Sequence, residues 1–222
     1  MFEKDIHRTA QGDLEITFIG HASLVFAWAG KVFHIDPVSA EGDYAKLPKA
    51  DLIVVTHDHY DHLDLKAVAL LTKAGTAYVA DPGAGEQLEG AKILRNGESA
   101  EALGVKIEAV PAYNLVHMRA PGQPFHPKGV GNGYILTYGG TRVYVAGDTE
   151  NIPEMANLGD IDIAFLPMNL PYTMTPEMAA DAARMFKPKI LYPYHTGETD
   201  TSKLKALLKD EKEIDVRLRR MK

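Results

Sequence analysis

The feature that constrains this chain most is Thr56-His57-Asp58-His59-Tyr60-Asp61-His62-Leu63-Asp64, set directly behind the apolar run Leu52-Ile53-Val54-Val55. A short apolar stretch bounded by polar residues reads as a buried strand. That strand ends in three imidazoles and a carboxylate spaced H-x-H-x-D-H. Imidazole nitrogen and carboxylate oxygen are the donors that hold zinc, manganese or iron. Crowding them into six residues beside a core strand costs stability unless a cation neutralises and orients them. A solvated surface loop rich in His and Asp is the bland alternative, and the wholly apolar lead-in argues against it.

The surrounding pattern is α/β. Alternating or apolar runs over 14–19, 23–28 and 32–35, joined by tight turns at Gly20-His21-Ala22 and Ala29-Gly30-Lys31, predict antiparallel strands ending at Asp36. A helix is expected over 64–74, capped by Asp64 and stopped by Gly75. Short strands follow at 76–80, 91–94 and 105–111. A second hairpin, 133–138 and 141–146 about Gly139-Gly140, runs into Gly147-Asp148, echoing the first hairpin and Asp36 as a weak internal repeat. Strand 161–166 comes next, then a helix from Thr175 (cap) and Pro176 (first helical position) to Phe186. A strand over 190–194 delivers His195, and a last helix covers 201–209. No linker or compositional shift divides residues 1–222, so one domain is expected.

With 222 residues, 45% hydrophobic and 24% charged, the chain has the make-up of a soluble globular protein. A formal net charge of −6 argues against nucleic acid as the main ligand. The absence of cysteine excludes disulfides, thiolate metal sites and Cys nucleophiles together. Nothing resembles a signal core or a membrane span, so a cytoplasmic protein without a membrane partner is expected. His34 reads as structural, His7 and the end of the tail Arg217-Leu218-Arg219-Arg220 as solvated. Asp81-Pro82-Gly83-Ala84-Gly85 reads as a turn rather than a phosphate cradle.

The strand-end donors His57, Asp148 and His195, taken with Asp36 and H-x-H-x-D-H, resemble the metallo-β-lactamase superfamily over nearly the whole chain. The resemblance implies a four-layer αββα sandwich of two mixed sheets with a metal site along one edge. Within it, Phe18-Ile19-Gly20-His21-Ala22 and Gly147-Asp148-Thr149 resemble the L-ascorbate-6-phosphate lactonase-like branch, related to N-acylphosphatidylethanolamine-hydrolysing phospholipase D. It further implies two divalent ions, zinc foremost with manganese or iron as alternatives. His57 and His59 would hold the first, Asp61, His62 and His195 the second, and Asp148 both. Asp36 would orient a ligand histidine, and His21 would lie near substrate.

One departure stands out. The pattern expects a third histidine after 105–111, and Tyr113-Asn114 stand there. A neutral amide is a poor replacement for imidazole. His126, stiffened by Pro127, is the favoured substitute; Asn114 remains open, as does His117, which reads as exposed. A protein holding only one ion tightly is the corollary.

The expected chemistry is hydrolysis of a small ester, lactone or phosphodiester by metal-activated water, with Asp61 and Asp148 contacting the nucleophile. Arg119, Lys128 and Arg142 would admit an anionic substrate. Residues 168–174, with Tyr113 and the loop 115–132, would wall the pocket. A non-catalytic metal-bound regulatory protein that retains the fold is the competing class. The residues leave substrate, metal identity and any homo-oligomer open.

Overall fold

The computed structural model describes residues 2–221. In chain order the strands are β1 (Glu3–Thr9), β2 (Gly12–Gly20), β3 (Ser23–Trp28), β4 (Lys31–Ile35), β5 (Leu52–Val55), β6 (Ala77–Ala80), β7 (Lys92–Ile93), β8 (Ser99–Ala102) and β9 (Val105–Pro111). They continue with β10 (Met118–Ala120), β11 (Gln123–Pro124), β12 (Asn132–Tyr138), β13 (Thr141–Val145), β14 (Ile163–Pro167), β15 (Ile190–Tyr194) and β16 (Asp215–Val216). The helices are α1 (Leu65–Leu71), α2 (Pro82–Gly85), α3 (Pro176–Phe186) and α4 (Ser202–Leu207).

Strands β1 to β7 form one sheet in sequence order, and the second runs β16-β15-β14-β13-β12-β9-β8. The two share a plan. Hairpin β3/β4 is extended by parallel β5 and β6, and hairpin β12/β13 by parallel β14 and β15. Asp36 follows β4 directly, and Asp148 follows β13 after Ala146 and Gly147.

Period-two alternation divides the side chains between layers. Leu52 and Val54 of β5 enter the core between the sheets, while Ile53 and Val55 face α1. Val143 and Val145 of β13 point inward, and Tyr144 packs against Phe186 of α3. Each central strand is therefore buried on both faces. The result is the four-layer αββα arrangement, with helical segments outside each sheet.

Helix α3 starts where expected: the Thr175 hydroxyl accepts from Met178 N at 3.1 Å, and Pro176 occupies the first turn. Helix α1 is shorter than 64–74, because Thr72 turns to extended backbone and its hydroxyl donates to Val68 O instead of continuing the helix. The Asp81 carboxylate accepts from Gly83 N and Ala84 N, so those amides already have an anion and the segment is a capped turn.

Two expectations near the termini are corrected. His7 is buried on β1, hydrogen-bonded to Tyr192 Oη of the opposite sheet at 3.0 Å. The tail is tied down: the Arg219 guanidinium grips Asp5 at 2.6 Å, and Tyr192 Oη also donates to Asp5. Glu3, Lys4 and Asp5 mask the apolar signal of β1, so its pairing with β2 emerges only in the fold. His34 is structural, as expected, donating to Pro48 O at 3.0 Å, and burial pushes it down to about 4. Among the described residues no helix is long and apolar enough to cross a membrane.

Candidate metal centre

Five strands deliver polar residues to one edge of the sandwich. His21 follows β2, Asp36 follows β4, Thr56 and His57 follow β5, Asp148 follows β13 and His195 follows β15. Three of these turn sharply at the strand end: His21, Asp36 and His195 have φ of 50°, 43° and 46°. Left-handed backbone in a non-glycine residue costs about 1–3 kcal/mol and persists where the surroundings over-determine it. At Asp148 the turn falls to Gly147, with φ 65°, where a Cβ would stand 2.6 Å from Asn132 O. No other residue type fits there.

The donors assemble around Asp148. Its Oδ1 lies 3.3 Å from His62 Nε2 and 3.5 Å from His195 Nε2. Its Oδ2 lies 3.2 Å from His126 Nε2 and 3.9 Å from His57 Nε2. One carboxylate thus faces two donor groups with its two oxygens. On one side His57, His59 and His126 bring their nitrogens within 4.8 Å of one another. On the other stand His21, Asp61, His62 and His195, with Asp61 Oδ2 at 3.1 Å from His21 Nε2 and 3.5 Å from His195 Nε2.

This arrangement suits divalent cations. His57 Nε2, His62 Nε2, His195 Nε2 and Asp148 Oδ1 are buried and make no hydrogen bond. Buried polar atoms are normally satisfied, so four orphans converging on one space call for a ligand. The donor set, imidazoles and carboxylates without thiolate, suits zinc, manganese or iron.

For His62 and His57 the other ring nitrogen is held from behind, whereas His195 Nδ1 is buried without a hydrogen bond. His62 Nδ1 donates to Asp36 Oδ2 at 2.8 Å, and Thr56 N and Oγ1 donate to the same carboxylate at 2.8 and 2.7 Å. His57 Nδ1 donates to Thr56 Oγ1 at 3.1 Å, so Asp36 orients His62 directly and His57 through the hydroxyl. Such outer contacts fix the tautomer and leave Nε2 free to coordinate. Asp36 thus stands behind His62, hydrogen-bonded to the ring nitrogen that faces away from Asp148.

The field in the site favours positive charge. Burial opposes a proton on His62, yet Asp148 and Asp36 on either side push it well above the ordinary imidazole value. Burial and the neighbouring His62 hold His57 well below it. Burial raises Asp148, but His195 and His62 outweigh it and hold the carboxyl well below the usual range. Burial raises Asp61 too, and hydrogen bonds from His195 and His21 overcome it. Carboxylates that stay charged beside an imidazole that stays neutral are a setting for a cation.

At Tyr113-Asn114 the structure resolves the departure. Asn114 Oδ1 accepts from both His126 N and His126 Nδ1 at 2.8 Å, which turns His126 Nε2 inward. Asn114 therefore stands behind the donor group and His126 enters it. His117, expected in solvent, is half-buried with Nδ1 2.7 Å from Glu150 Oε1. Glu150 carries no motif of its own. Its carboxylate is fully buried beside the site, and the only sequence signal for it is an acid two residues after Asp148.

A cavity of about 610 Å³ opens over the donors, lined by His21, Glu41, His59, Tyr60, Asp61, Arg119, Phe125, His126, Asp148, Asn169, Tyr172 and His195. Of residues 168–174 only Asn169 and Tyr172 reach it, while Met168 and Met174 are core. Of the three candidate cations only Arg119 lines it, donating to Phe125 O at 3.0 Å and lying 5.9 Å over the Phe125 ring. Lys128 is paired with Glu154 at 2.7 Å, and Arg142 donates to Leu158 O at 2.8 Å, so neither is spare.

Known proteins share this architecture. The family described as Beta-lactamase superfamily domain matches residues 15–195. A metal-dependent hydrolase from Pelotomaculum thermopropionicum is 32% identical over 92% of this chain and 96% of its own. The crystal structure of a candidate metal-dependent hydrolase from Parabacteroides distasonis aligns with TM-score 0.95 and 50% identity, covering 100% of both chains. Igni18, a metallo hydrolase from Ignicoccus hospitalis, aligns with TM-score 0.76 and 26% identity, over 94% and 96% of the two chains.

Proposed function

Because this chain belongs to the metallo-β-lactamase superfamily and is a metal-dependent hydrolase, we propose that it cleaves a small anionic ester, lactone or phosphodiester with two divalent ions, zinc foremost. The observation that carries this reading is the split of Asp148: one oxygen toward His57 and His126, the other toward His62 and His195. His57, His59 and His126 would hold one ion, Asp61, His62 and His195 the other, and Asp148 both. Ions held there supply Lewis acidity and lower the pKa of coordinated water from about 15.7 toward roughly 7.

The residues of the chain do the rest. Asp61 and Asp148, both kept ionised, accept a hydrogen bond from the attacking water and orient it. His21, 3.1 Å from Asp61 Oδ2, holds that carboxylate in place at the cavity floor. Phe125 and Tyr172, in edge contact at 5.0 Å, exclude water from one wall. Arg119, the one Lys or Arg lining the cavity among the described residues, offers a guanidinium to a phosphate or carboxylate on the substrate. His21 and Gly147-Asp148-Thr149 support the lactonase-like branch within the family.

Metal analysis and a substrate panel test this. Purified protein is expected to carry two equivalents of zinc, manganese or iron and to hydrolyse a member of a panel of phosphorylated lactones, esters and phosphodiesters. His59→Ala should abolish that turnover. Protein that takes up no metal from any of the three salts, and is as inert as His59→Ala across the panel, would end the proposal. Arg119→Ala should raise KM for an anionic substrate roughly tenfold, about 1.4 kcal/mol, and leave kcat near wild type.

A further inference from the structure

The carboxylate of Glu150 does no chemistry in the proposed hydrolysis, yet it is fully buried and saturated with donors. Its Oε2 accepts from Leu115 N at 2.6 Å and Val116 N at 2.7 Å. Its Oε1 accepts from His117 N at 2.7 Å and Asn114 Nδ2 at 3.1 Å. A buried carboxylate survives only when paired or fully hydrogen-bonded. Here the partners are three successive backbone amides and one side-chain amide of a single strap, with the His117 Nδ1 of the same strap also 2.7 Å from Oε1. That strap links β9 to His126.

We propose that Glu150 is a positioning residue that completes the first donor group by locking Asn114, and through it His126; the inference rests on the two-ion reading. The logic lies in the Asn114 amide. Its Nδ2 donates to Glu150 and, at 2.8 Å, to Tyr172 O, both of which can only accept. Its Oδ1 is thereby aimed at His126, where N and Nδ1 both donate to it. Turning the amide over would set oxygen against the Glu150 carboxylate and NH₂ against the His126 backbone N–H. The carboxylate forbids that flip. With Oδ1 fixed, the ring proton of His126 stays on Nδ1, and the lone pair of Nε2 faces Asp148 Oδ2 at 3.2 Å. A residue at the expected histidine position thus becomes the holder of a histidine twelve residues later.

Removing such an outer partner typically lowers metal affinity 10–100-fold. Metal-stripped wild type, titrated with zinc chloride by calorimetry, is expected to take up two equivalents. Glu150→Gln and Asn114→Ala should each weaken one equivalent 10–100-fold and leave the other within about twofold. Cobalt absorption should change for one site only. Tyr113→Phe, which removes a strap hydroxyl from Glu154 and keeps the Tyr113 backbone oxygen that accepts from Glu150 N at 3.0 Å, should leave both affinities unchanged. Should Glu150→Gln fail to fold, Asn114→Ala decides, since there the carboxylate keeps its backbone donors. Two unchanged affinities in Asn114→Ala, or equal losses at both sites, would overturn the positioning role alone. Wild type without metal would overturn the two-ion reading itself.

Discussion

The two donor groups facing Asp148 are built differently. His62, His195 and His21 stand on, or one short loop from, the ends of core strands, and His195 N is tied to His21 O at 2.8 Å. Their geometry is inherited from the sheets. The group of His57, His59 and His126 takes its third member from the loop between β9 and β12, outside both sheets. There the positioning falls to side chains, Asn114 and Glu150. Rigid strand ends need one buried acid, Asp36, behind them; a loop donor needs a network. The lesson is that a buried carboxylate that does no chemistry itself can mark where a site was assembled from irregular backbone.

The largest expected effect breaks the distinction between the groups altogether. Asp148→Asn removes the one charge both share, and turnover should fall by about 10²–10³-fold or more. Both ions should leave together in metal analysis. If one ion stayed at full occupancy, the carboxylate would belong to a single group. Next in size is Asp36→Asn, which loosens His62 directly and His57 through Thr56. Here affinity should drop roughly 10–100-fold at both sites, in contrast to the one-sided loss at Glu150. A one-sided loss at Asp36 would dissolve the contrast.

The smallest effect supplies a pH baseline away from either group. His34 is held at about 4 in the folded chain against 6.5 for the free imidazole, chiefly by burial. Its folded pKa is depressed, so the unfolded chain binds the extra proton and stability is lost as pH falls between 6.5 and about 4. The slope is at most about 1.4 kcal/mol per pH unit. Urea unfolding at several pH values should show a shallower decline in His34→Gln than in wild type. Equal slopes would show that His34 does not titrate in this window.

Much of the site is legible in the order of residues. H-x-H-x-D-H behind an apolar strand, Gly147-Asp148 behind a hairpin and His195 behind β15 each pair a local pattern with a strand end. Those patterns are short-range, so neighbouring residues carry them. The burial of His7 is not legible, because its partner, Tyr192, lies 185 residues away on the other sheet. The same holds for His117: the acid that draws it in, Glu150, comes from a different turn. Lys128 and Arg142 read as free cations because their partners, Glu154 and Leu158 O, reach them only through tertiary packing.

Residue order alone determined the strands, the strand ends at the functional edge and the donor types gathered there, because side-chain alternation and turn chemistry act over a few residues, while the two-sheet sandwich was implied only by the family resemblance of those motifs. Tertiary structure alone decided that His126 rather than Asn114 faces the donor space, how Glu150 is bonded behind it, and that Arg119, not Lys128 or Arg142, lines the cavity. Those outcomes depend on which hydrogen-bond partners meet across distant loops, and no local propensity encodes such a meeting.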